Sequence, residues 1–149
     1  MRKVLAWCIG ALFILYGLIR FGGSAMIFHA LTTGVESGFQ DGIDKIAALV
    51  DRTADIQIVP FTVAGYFAYV ALLGASQIAG TLGTMFRRRW GVWVMGVYFL
   101  IFGLGFVNFQ LFNMKTGVLF VSLALYGLML WLLRLSPTGR RRDEPVVAT

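Results

Sequence analysis

Three side chains could do chemistry inside an otherwise apolar chain: Arg20, His29 and Gln77. Arg20 carries a permanent charge on a fork of N–H donors, which suits lipid phosphate or the oxygen of a quinone. His29 could share such a ligand, and Gln77 brings one amide donor and one acceptor. Each also has a plainer role. An arginine near an interface can snorkel to lipid headgroups, a lone histidine can be an ordinary interfacial residue, and a glutamine between helices can hold them together. These three are the candidate ligand or packing residues.

Other chemistries are disfavoured by composition. The single cysteine, Cys8, forms no internal disulfide and no CxxC motif, and the single histidine excludes a bis-histidine haem site within one chain. No catalytic constellation, metal cluster or nucleotide loop is legible. Apart from Arg20, the apolar runs hold no charged residue, which disfavours proton relays and ion pumping.

The elements that must position these residues are apolar helices. Of the 149 residues, 58% are hydrophobic and 13% charged, with mean hydropathy +0.79. That is more apolar and less charged than soluble domains. Four runs read as membrane spans: 4–31, 58–86, 91–109 and 117–133. Pro60 falls where a helix start tolerates it, and the second run is long enough to require tilt or a protruding end. Small residues recur at four-residue spacing around Gln77, as Ala71, Ala75, Ala79 and Gly83 and as Ser76, Gly80 and Thr84. Gly10 with Gly17, and Gly96 with Gly103, add notches at seven-residue spacing. Such stripes let helix backbones approach closely. Gln77 lies ten residues before Arg87, about 15 Å along a helix, near the middle of a bilayer.

Charge sets the direction. Arg2 and Lys3 precede the first run, Arg87, Arg88 and Arg89 join the second to the third, and Arg134, Arg140, Arg141 and Arg142 follow the fourth. The positive-inside rule places both termini in the cytoplasm, and all four tryptophans lie beside these clusters as interfacial anchors. The net charge of +6 therefore reads as topology rather than as a nucleic-acid surface. "GGSA" after the first run would be a passable signal cleavage site. The preferred reading is an uncleaved first helix in a single domain spanning 1–135, with a disordered basic tail over 136–149.

The segment 36–57 is the one substantial stretch outside the spans. Phe39, Ile43, Ile46, Ala47 and Val50 make one helical face, with Asp41, Asp44, Lys45, Asp51 and Arg52 on the others. This predicts a short amphipathic helix on the outer interface, either a packed lid or a docking surface. Counted from the cytoplasmic side, Arg20 should emerge roughly 24 Å out, just inside the outer headgroups. There it would pair with Asp41, Asp44, Asp51 or Asp55, or reach lipid phosphates. Asn108 and Gln110 read as interfacial.

Two stretches resemble the DoxX-like family of four-helix membrane proteins. "ALFILYGLIRF" is similar to their first helix, an apolar run with a glycine and then a basic residue. "VPFTVAGYFAYVALLGASQIAGTLGTMFRRRWG" resembles their second helix and its basic turn, and the likeness covers Ala11 to about Asn108. The family often has a glutamate where this chain has Gln77, so an acid–base role there is in doubt. The resemblance implies a small membrane subunit, in some cases linked to quinone-dependent redox enzymes. The expected fold is thus all-α, an integral membrane four-helix bundle with an amphipathic outer helix between spans 1 and 2. The expected role is a non-catalytic accessory or scaffolding subunit of a bacterial-type inner (plasma) membrane, without cofactor. Its partners would be the lipid bilayer and a larger membrane complex or a homo-oligomer, with no nucleic acid. The alternatives are a quinone- or lipid-binding redox component and a small pore or carrier.

Overall fold

The computed structural model describes residues 1–34, 38, 40–109 and 114–135. Among them the chain is all-helical, with five helices: α1 (Arg2–Thr33), α2 (Gln40–Thr53), α3 (Val63–Met85), α4 (Arg89–Phe109) and α5 (Met114–Leu133). Four helices, α2 excepted, are long and apolar enough to cross a membrane. Glu36, Phe39, Gln110 and the tail 136–149 lie outside the described residues.

Arg20 does not interrupt α1, which runs as one helix of 32 residues, roughly 48 Å. Arginine is a good helix former, and an intact backbone ladder is obligatory in an apolar setting. Gly34 ends the helix in the left-handed conformation with φ 71°, donating its N–H to Ala30 O at 2.9 Å.

The second apolar run starts its helix later than expected. Ile58–Phe61 is not helical, and α3 begins after Thr62, whose hydroxyl accepts from Gly65 N at 3.0 Å. Proline disfavours a helical residue before it, and threonine is a strong cap. The helix therefore has 23 residues, a length that needs no overhang. The connection is held at two points. Asn108 in α4 accepts from Val59 N at 2.7 Å and donates to Val59 O at 3.1 Å. Gln57 donates to Thr53 Oγ1 at 2.8 Å and accepts from Phe61 N at 2.8 Å. Asn108, one residue from the end of α4, is thus a buried clamp on this connection.

The long helices contact one another in a cycle, α1 on α3, α3 on α4, α4 on α5 and α5 on α1, with α2 against α3. Close packing follows the small residues. A Cβ added at Gly10 would meet Met85, at Gly17 Ile78, at Gly80 Met95, and at Gly74 the backbone of Phe21 at 2.6 Å. Among the described residues a Cβ at Gly96 would meet nothing within 4 Å, so no helix packs into it there. The core lies toward the Arg87–Arg89 end and includes Ala6, Ile9, Phe13, Leu73, Met95 and Met129. There Thr84 donates to Gly80 O at 2.8 Å, which leaves its oxygen to accept from the Tyr126 hydroxyl at 3.0 Å.

α2 has the expected amphipathic face, with Val50 and Thr53 buried and Ile43, Ile46, Ala47 and Leu49 half-buried. The triple arginine forms a tight turn, in which Arg87 takes a left-handed φ of 55° and Arg88 N donates to Gly83 O at 2.8 Å.

Candidate functional site

The helix register decides where Arg20 sits. Gly10 opposite Met85, Gly17 opposite Ile78 and Phe21 opposite Gly74 share one antiparallel alignment of α1 with α3. This alignment puts Arg20 level with Ala75, about 15–18 Å from either end of α3. Its contact on α4, Tyr98, is likewise near the middle of that helix. Arg20 therefore lies midway along α3 and α4 rather than toward their α2 end. The reason is that α1 overshoots α3 by about two turns at the Arg87–Arg89 end, so a count from Val4 overstates its height. Gln77 lies at nearly the same level.

Arg20 is half-buried, and its partners are aromatic. Nη1 donates to the Tyr98 hydroxyl at 3.1 Å. The guanidinium carbon lies 4.6 Å from the Phe102 ring centroid and 5.5 Å from that of Tyr16. Tyr16 is one helical turn before Arg20, the spacing at which side chains on one face meet. Among the described residues no carboxylate pairs with Arg20, so the expected ion pair with the outer acids is not formed.

Arg20 lines a cavity of about 350 Å³ in the half of the molecule that carries α2. The other walls include Tyr16, Tyr66, Tyr69, Phe102 and Phe109, with Leu49 of α2. The aromatics fix one another edge to face, Phe61 against Tyr69 at 5.6 Å and Tyr66 against Phe109 at 5.8 Å. Tyr69 donates to Ile101 O at 2.8 Å, and only a glycine at 105 leaves room for its hydroxyl.

Gln77 is buried, at 1% exposure, and links α3 to α1 by donating to Phe13 O at 3.0 Å. Its Oε1 has no partner among the described residues. It borders a smaller cavity of about 200 Å³, lined also by Leu12, Phe13, Ser122 and Leu125. Tyr16 and Val118 line both cavities. His29 is exposed near the far end of α1 and lines neither cavity. The structure thus brings Arg20 and Gln77 to neighbouring sites and leaves His29 apart.

The aromatic wall was legible only as hydropathy. Tyr98, Phe102, Phe106 and Phe109 follow at steps of four, four and three, a single helical stripe, and Tyr66 and Tyr69 are three apart. The arrangement can receive an apolar molecule with an electron-rich or acidic head. Among the described residues no group of three or more His, Cys, Asp or Glu is placed to hold a metal ion. No family model, curated protein or solved structure matches the chain.

Proposed function

We propose that the chain is an integral membrane four-helix bundle of DoxX-like type that binds a membrane-soluble small molecule, a quinone or a lipid, against Arg20. It resides in a bacterial-type plasma membrane with both termini cytoplasmic and α2 closing the outer side. One observation carries this reading. A guanidinium sits halfway along its neighbouring helices, on the wall of an aromatic cavity, without a carboxylate partner among the described residues. A charge at such depth is costly and marks function by default. The cavity volume falls within the range of small-molecule sites. Among the described residues lining the cavity, no His, Cys, Asp, Glu or Lys accompanies Arg20, which favours binding over catalysis.

Gentle extraction followed by mass spectrometry of lipids and proteins tests it. Wild-type protein should carry a quinone or lipid that Arg20→Gln loses while its helical content is unchanged. Retention of the same molecule by Arg20→Gln would sink the reading. A second reading, a non-catalytic accessory subunit, is favoured by Gly96, an open notch on α4 that a partner helix could fill. A stoichiometric larger protein in the same extract, released by Gly96→Leu, would support it.

A further inference from the structure

We infer that the ligand of the Arg20 cavity is an anion, the carboxylate of a single-chain amphiphile of the fatty-acid class. The inference rests on the binding reading above and narrows it. It starts from how little of the guanidinium is used. Arginine has five N–H donors in a planar fork. Here one donor is spent on Tyr98, and two ring faces, Phe102 and Tyr16, cover part of the charge. A ring face attracts a cation but accepts no hydrogen bonds along the fork. A half-buried cation with neutral partners alone leaves part of its desolvation cost uncompensated. A neutral quinone oxygen would take one bond and cancel no charge. A carboxylate takes two parallel bonds and cancels it, and that geometry is the fork's best match.

The cavity argues for a single chain. Its walls beyond Arg20 are mostly aromatic and aliphatic, from Tyr69 and Val70 to Phe109 and Leu49 of α2. A linear acyl chain entering under α2 can lie along them with its head inward. The head of a two-chain phospholipid stays at the interface, about 15 Å or more from the level of Arg20. Tyr66 lines the same space.

The test uses the full chain, stripped of lipid in neutral detergent at alkaline pH. It is titrated with palmitate, hexadecanol and a short-chain benzoquinone, then challenged with phosphatidylglycerol. Native mass spectrometry and calorimetry give the affinities. Palmitate should bind at least about tenfold more tightly than hexadecanol or the quinone. Arg20→Gln should remove that preference while hexadecanol still binds, and Arg20→Lys should keep part of it. Phosphatidylglycerol should not displace palmitate. Equal binding of palmitate and hexadecanol by the wild type overturns the inference and leaves the binding reading standing. So does preferential binding of the quinone. Displacement by phosphatidylglycerol at matching concentration overturns the single-chain assignment. Failure of all three ligands to bind overturns the binding reading itself. The wild-type ratios decide the matter even if Arg20→Gln does not fold, because Arg20→Lys keeps the charge and tests the fork.

Discussion

At the scale of single residues, Gln77 and Gly74 illustrate opposite sensitivities. Gln77 makes one hydrogen bond to α1 and leaves its other polar atom unpaired. Interhelical hydrogen bonds in membranes average only about 0.6 kcal/mol. Replacing the amide also removes an unsatisfied buried oxygen, whose burial is itself unfavourable. Gln77→Leu should therefore change stability by less than about 1 kcal/mol, read as a small shift in the melting temperature of the detergent-solubilised protein. Gly74 behaves differently, because a Cβ there would stand 2.6 Å from Phe21 N and 2.8 Å from Gly17 O. Backbone cannot rotate aside as a side chain can. Gly74→Ala should cost about 1–3 kcal/mol, and larger residues more. A melting temperature unchanged by Gly74→Ala would show that the α1–α3 contact is looser than described. Burial of Gln77 follows from its setting of small residues, whereas its orphan oxygen could not be read from sequence. Which lone pair finds a donor depends on what the neighbouring helix places opposite.

At the scale of elements, two joints are open to test. Arg87 closes α3 in a left-handed conformation that costs a non-glycine residue roughly 1–2 kcal/mol. Glycine adopts it freely but is floppier in the unfolded chain. Arg87→Gly should therefore stabilise the protein by up to about 1 kcal/mol, seen as a rise in melting temperature. The other joint is the clamp between Asn108 and Val59, which holds the chain between α2 and α3 to the end of α4. Asn108→Ala leaves a backbone N–H and a C=O without partners, at a cost of about 1–3 kcal/mol. The loss should be local. Limited proteolysis and amide exchange should rise around residues 55–62 while α4 and α5 stay protected, and uniform loosening would argue against the clamp. The amphipathic face of α2 was legible in the spacing of Ile43, Ile46, Ala47 and Val50. The start of α3 was not legible from hydropathy, since Ile58 and Val59 are as apolar as the helix they precede. Thr62 and Pro60 carry that boundary through capping and backbone sterics.

At the scale of the whole molecule, orientation and depth are separate questions. The proposed topology predicts that reporter fusions within Arg87–Arg89 and after Arg134 read out in the cytoplasm and that one at Asp44 reads out on the other side. A cytoplasmic reading at Asp44 would invert the scheme. Sequence alone determined the number and rough extent of the long apolar helices, the amphipathic segment between the first two, and the basic turn, because hydropathy and charge are properties of one stretch of chain. Tertiary structure decided the depth of Arg20, its aromatic partners and the hollow they share. The depth of a side chain depends on the register between helices, and here that register is set by the close approaches of Gly10 to the Met85 side chain, of Gly17 to Ile78, and of Gly74 to the backbone of Phe21 and Gly17. A count along α1 cannot see it. The same holds for the stripe from Tyr98 to Phe109. In sequence it adds to an apolar total, and only the packing of α4 against α3 sets Phe102, Phe106 and Phe109 on a cavity wall beside the half-buried Arg20.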